Sequence, residues 1–133
     1  MAAATPDDLV GVPLFDALGS DERAVIAPWF ELENVGPGVK LTGEGASGYS
    51  FFVLRDGTAS VTIDGSEVRK LGAGDFFGEL AILGDGRRTA TVTTASPSRV
   101  LVLFGTEFRR LQQEYPDTVA RIENALREIA LTA

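Results

Sequence analysis

The chain has 133 residues, 44% hydrophobic and 23% charged, with 12 basic against 19 acidic side chains and a formal net charge of −7. That balance suits one soluble domain with a real core and argues against the basic stripe that nucleic-acid binding needs. Cysteine and histidine are both missing, which removes disulfides, thiol nucleophiles, thiolate metal sites, most catalytic triads and most transition-metal sites.

Residues 1–10 lack the basic start and apolar run of a signal peptide. Residues 14–18 and 23–30 carry apolar side chains at helical spacing, and Ser20-Asp21-Glu22 reads as an N-cap with acids in the first turn. Pro28 and Trp29 lie near the end of that helix, with Trp29 read as a packing residue. From residue 33 to 104 glycine punctuates the chain every several residues, and Asp56-Gly57 and Asp64-Gly65 are hairpin-turn signals. Residues 61–63 and 100–104 read as strands. Many short strands at this spacing predict an antiparallel sandwich or jelly roll. The run 100–104 is far too short to cross a bilayer, so no membrane segment and a cytoplasmic location are expected. From Thr106 the pattern returns to helix through Phe108, Leu111 and Tyr115, and Pro116 opens a final helix where its missing N–H does no harm. Val119, Ile122, Leu126 and Ile129 form one apolar seam on that helix, expected to pack on the barrel, with Glu123 and Arg127 as an i,i+4 pair beside it. The expected class is mainly β with flanking helices: a single domain over 1–133, with a helical lead-in and β-roll over 14–104 and C-terminal helices over 106–131.

The most informative tract is Phe76-Phe77-Gly78-Glu79-Leu80-Ala81-Ile82-Leu83-Gly84-Asp85-Gly86-Arg87-Arg88-Thr89-Ala90-Thr91-Val92. A carboxylate follows a glycine at the start of a short helix-prone run, and Arg88 arrives ten residues after that glycine. Backbone N–H groups at the start of 79–83 would point at an anion, and the local dipole would favour negative charge there. The Arg88 guanidinium can fork onto two phosphate oxygens. Glu79 is itself an anion, so its natural partner is a hydroxyl donor such as a sugar. Arg87 reads as solvated, and Asp75 as a turn residue after Gly74. Asp75 and Glu79 are discounted as a glycosidase acid pair, since carboxylates four apart in a glycine-rich loop are common. The run 72–78 is also rejected as a dinucleotide fingerprint: its last glycine comes one residue late and no βαβ pattern surrounds it.

Residues 77–81 and 88–90 resemble the phosphate-binding cassette of the cyclic nucleotide-binding domain family, found in catabolite activator-type regulators, cyclic-nucleotide-dependent kinase regulatory domains and cyclic-nucleotide-gated channels. Gly43-Glu44-Gly45, residues 50–54 and Gly57 are similar to the family's early strands and turn, and the likeness extends over residues 14–129. The resemblance implies a jelly roll that binds a cyclic nucleotide, with cAMP favoured and cGMP also accepted, as a non-enzymatic regulatory sensor with no cofactor. It implies that Gly78 lets the backbone approach the ligand and that Glu79 accepts from the ribose 2′-OH. Leu80 and Ala81 would offer backbone N–H groups to the phosphate, Arg88 would pair with its exocyclic oxygens, and Thr89 and Ala90 would close the far side. Thr89 follows Arg88 as in cGMP-dependent kinases. Val61 and Leu71 are implied as apolar walls near the base. Ile82 and Leu83 would shift against Phe108 and Leu111 when the cassette closes, moving the C-terminal helices. The final helix can also cap the base or form a homodimer. Cupin-type metal chemistry and haem or iron–sulfur sensing would need histidine or cysteine. The open alternatives are a fragment of a larger cyclic-nucleotide-regulated transcription factor, channel or enzyme, and a degenerate domain that keeps the fold as an interaction surface.

Overall fold

The computed structural model describes residues 2–42, 50–78 and 90–132. Among them, strands β1 (Ala2–Ala3), β2 (Glu31–Val35), β3 (Lys40–Thr42), β4 (Ser50–Asp56), β5 (Ala59–Ile63), β6 (Ser66–Leu71), β7 (Phe76–Phe77), β8 (Thr91–Thr94) and β9 (Ser98–Phe104) form two antiparallel sheets. One sheet runs β1-β2-β9-β4-β7 and the other β3-β8-β5-β6. Helices α1 (Pro6–Leu9), α2 (Ser20–Ile26), α3 (Gly105–Glu114) and α4 (Pro116–Thr132) and two 3₁₀ turns, Pro13–Phe15 and Ala27–Trp29, complete the described fold. The expected antiparallel jelly roll with helices at both ends is the architecture found.

Period-two alternation explains how one sheet serves two cores. On β9, Val100 and Val102 enter a cluster between the sheets, while Leu101 and Leu103 enter a second cluster beneath the helices. On β4, Leu54 joins the first, packed against by Phe52, and Phe51 and Val53 join the second. Strands covered on both faces read as unbroken apolar runs, which is why residues 100–104 were conspicuous in the sequence. The helical layer contributes Leu9, Val12, Leu14, Phe15, Leu18 and Ile26 from the N-terminal side and Phe108, Leu111, Val119, Ile122 and Leu126 from the C-terminal side. Phe15 meets Phe30 edge-on at 5.5 Å, a favourable aromatic geometry.

The turns divide into those that reverse the chain and those that change sheet. Asp64-Gly65 makes the predicted hairpin between β5 and β6, with φ of 51° and 78°. Asp56-Gly57 does not make the expected hairpin: it carries the chain from β4 in one sheet to β5 in the other. Gly57 has φ of +101°, and a Cβ there would sit 2.2 Å from Ser98 Oγ and 2.8 Å from the Pro97 carbonyl oxygen, so only glycine fits. The crossover from β2 to β3 is pinned by buried Thr94, whose hydroxyl donates to Gly36 O at 2.7 Å and accepts from Val39 N–H at 2.9 Å.

The helical ends differ from expectation in three places. The α2 N-cap is Gly19 rather than Ser20, with Glu22 Oε1 accepting from Gly19 N–H at 3.3 Å. The α-helix stops at Ile26 and tightens into the 3₁₀ turn, because Pro28 has no N–H for the next α-type bond. Tyr115 caps α3 and is 39% exposed, so it lies off the buried Phe108–Leu111 face. The α4 seam joins one buried cluster with Leu14 and Phe15, with Phe108 and Leu111 of α3, and with Phe51, Val53, Leu101 and Leu103 of the sheet, in keeping with the expected packing on the barrel. α1 has a legible start in Thr5-Pro6, with Asp8 Oδ2 accepting from Thr5 N–H at 2.7 Å. Pro116 opens α4 and Glu123 meets Arg127 at 3.7 Å, as the sequence indicated.

Candidate functional site

The cassette tract is held at both ends by short strands that belong to different sheets. At its entrance, β7 pairs with β4, placing Phe77 opposite Phe52, and their rings stack at 4.9 Å and 8°. That stack gives a two-residue strand an anchor its hydrogen bonds alone would not supply. Upstream, Asp75 serves the predicted turn: its Oδ2 accepts from Gly72 N–H at 2.8 Å, while Gly74 N–H donates to Leu54 O at 2.7 Å. Gly78 follows β7 with φ of +80°, a left-handed conformation that redirects the chain out of the sheet at little steric cost. At the exit, Ala90 is a partly buried bend before β8, where Thr91 pairs with Thr62 and Val92 with Val61. The tract therefore leaves the edge of one sheet and enters the middle of the other.

Of the expected site residues, Gly78, Ala90, Val61 and Leu71 are among those described. Leu71 and Phe77 belong to the inter-sheet cluster, and Val61 packs against it. Leu71 is almost wholly covered, whereas Val61 is partly open. Glu79, Leu80, Ala81, Arg88 and Thr89, with Ile82 and Leu83, lie outside the described residues. The structure thus brings together the two ends of the tract and the two apolar wall positions. Among the described residues no group of three or more histidine, cysteine, aspartate or glutamate side chains could hold a metal ion, and no helix is long and apolar enough to cross a membrane.

The most organised polar contact elsewhere is one the sequence did not announce. Glu22 Oε2 accepts from Thr118 Oγ1 at 2.8 Å and from Arg121 Nε at 3.0 Å, tying α2 to α4. Hydrogen bonds from Arg121 and then Thr118 hold the Glu22 carboxyl below its usual range, and Glu22 in turn raises Arg121. The partners lie 96 and 99 residues away, so no local pattern could have paired them. Trp29 packs against the helical core as read from the sequence, with the Arg110 guanidinium 5.4 Å above its ring.

Comparison with known proteins agrees with this architecture. The chain is 39% identical over 107 residues to a cAMP-dependent protein kinase regulatory subunit of Colletotrichum orbiculare, covering 79% of this chain and 27% of that protein. It is 38% identical over 99 residues to a cGMP-dependent protein kinase of Toxoplasma gondii, covering 74% of this chain and 10% of that one. The chain thus spans about a quarter of the first relative's length and a tenth of the second's. The regulatory domain of Toxoplasma gondii PKA crystallised with cAMP superposes with a TM-score of 0.79 at 26% identity, covering 96% of this chain and 49% of that one. The family model described as cyclic nucleotide-binding domain matches residues 32–115, more than half of the sequence. On that match, and on a roll whose strands frame the cassette, the chain belongs to the cyclic nucleotide-binding domain family.

Proposed function

We propose that this chain binds a cyclic nucleoside monophosphate, cAMP ahead of cGMP, as a regulatory sensor without catalytic activity of its own. The observation that carries the reading is the motif 77–90 lying between β7 and β8, so that its ends rest on opposing sheets beside Val61 and Leu71. A ligand held by that tract would be held against both sheets at once. In this reading Glu79 accepts from the ribose 2′-OH, and Leu80 and Ala81 offer backbone N–H groups to the phosphate. Arg88 forks onto the exocyclic oxygens, with Thr89 and Ala90 on the far side. Occupancy would be felt by α3, which follows β9 without a break and carries the helical layer. The relatives named as kinase regulatory subunits support a role in regulation rather than chemistry. Isothermal calorimetry with cAMP, cGMP and 5′-AMP tests this. The cyclic ligands should bind and the open phosphate should bind much more weakly, because it brings a second charge and the wrong geometry. No binding of any of the three, or no preference for the cyclic form, overturns the reading and leaves a scaffold of the same fold.

A further inference from the structure

Large apolar side chains flank the cassette tract at both ends: Phe76 and Phe77 on β7, and Val92 on β8. They serve different cores. Phe77 and Val92 belong to the cluster between the sheets. Phe76 alone of these packs against the cluster that holds α3, α4 and the N-terminal layer. The division follows from side-chain alternation on a two-residue strand. Phe76 pairs with Val53 and Phe77 with Phe52, so the consecutive rings point to opposite faces of one sheet. Phe77 stacks on Phe52 at 4.9 Å, and on the other face Phe76 meets Phe51 at 5.9 Å and 46°. The exit strand β8 lies in the other sheet.

A displacement of β7 is therefore felt in both cores. Upstream, the turn is fixed to β4: Leu54 N–H donates to Asp75 O at 2.8 Å, and Gly74 N–H donates to Leu54 O at 2.7 Å. Downstream, Gly78 at φ of +80° leads into the cassette. The two phenylalanines thus form a short arm between a fixed turn and the tract. Packed cores respond to such an arm by discrete repacking, not by continuous give. A tract that turns the arm as it settles on a ligand repacks Phe76 against Phe51, which shares its cluster with Phe108 and Leu111 of α3 and Val119 of α4. We propose, on the reading of 77–90 as a nucleotide site, that Phe76 is the positioning residue that couples occupancy of that site to the helical layer.

Trp29 is the single tryptophan of the chain. It packs against the same cluster as Phe76 and lies under the Arg110 guanidinium of α3 at 5.4 Å, so its emission reports the helical layer. That emission is followed while the whole chain is titrated with cAMP, and calorimetry gives the affinity of each variant separately. The parent should show a saturable change. Phe76→Ala should lose about half or more of that change while its affinity stays within about threefold of the parent's, since the substitution touches the route and not the ligand. Phe77→Leu, on the side between the sheets, should bind more weakly yet keep the full change at saturation. If Phe76→Ala fails to fold, Phe76→Leu decides, with a reduced change expected because the ring contact to Phe51 is gone. A full emission change in the folded Phe76 variant, an affinity loss of about tenfold or more beside it, or an equal loss of emission change in Phe77→Leu overturns the proposal. A parent that binds cAMP with no change at Trp29 also overturns it and leaves the nucleotide site standing. A parent that binds no cyclic nucleotide overturns the site, and this coupling with it.

Discussion

In the proposed reading, Arg88 is the residue on which ligand binding turns most sharply. A desolvated phosphate that loses its guanidinium partner is left unpaired, so Arg88→Ala should weaken cyclic nucleotide binding by about 2–5 kcal/mol. The melting temperature of the empty protein should barely change, because in that reading this arginine serves the ligand. A collapsed melting curve with affinity retained in the folded fraction would instead make Arg88 structural. In the same reading its neighbour, Thr89, bears on the choice of base. The Thr89 hydroxyl can donate to phosphate in either nucleotide, but only guanine offers a 2-amino group from which it could accept. Thr89→Ala should therefore weaken cGMP more than cAMP, by about 1 kcal/mol for one hydrogen bond, and calorimetry showing equal losses would confine the side chain to phosphate. The sequence singles out both residues because the chemistry of an anion and a sugar is written locally, within twelve residues; both lie outside the described residues. Gly57 was legible as a turn but not as a crossover: an Asp-Gly pair specifies a reversal of the chain, whereas the clash with Ser98 that requires glycine comes from a strand 41 residues on.

At the scale of elements, the sequence named α2, α3, α4 and two of the strands by their periodicity, and left most of the short strands and their pairings unread. The α4 seam was read correctly as apolar, and Val119, Ile122 and Leu126 are all buried. Periodicity does not say what covers a face, and here the cover is the N-terminal turn and α3 as well as the outer face of the sheet. The Glu22 joint is part of that cover, and its pH dependence follows from the depressed carboxyl. A glutamate held below its usual range stabilises the fold while ionised, so its contribution is full above that range. It is lost as pH falls through the lowered value. Thermal melts should show Glu22→Gln less stable than the parent at neutral pH, with the gap closing in acid. The effect should be modest and reduced by salt, because the Arg121 side chain is 48% exposed. A gap that is unchanged in acid would mean that the carboxylate charge contributes nothing to the joint.

For the whole molecule, the question is whether α4 is a lid over the ligand or part of the body that holds the roll together. Its three buried seam residues share one cluster with Phe15 and Phe30 of the N-terminal layer and with Phe51, Val53, Leu101 and Leu103 of the sheet. Each large aliphatic side chain so buried contributes about 1.5–3 kcal/mol, against a net stability of about 5–15 kcal/mol for an entire domain. Removing all three would consume much of that margin and open the outer face of the β2-β9-β4 sheet to water. Truncation after Pro116 should therefore abolish cooperative unfolding rather than merely speed ligand release. In the intact, empty protein, amide exchange across residues 119–126 should already be slow, since these amides sit over a packed core. Nucleotide should then slow exchange further only in proportion to its binding energy. A truncated chain that still melts cooperatively near the parent's temperature, with seam amides that exchange fast until nucleotide is added, would make α4 a ligand-ordered lid. The sensor would then signal by ordering its last helix, not by shifting a preformed helical layer on β9.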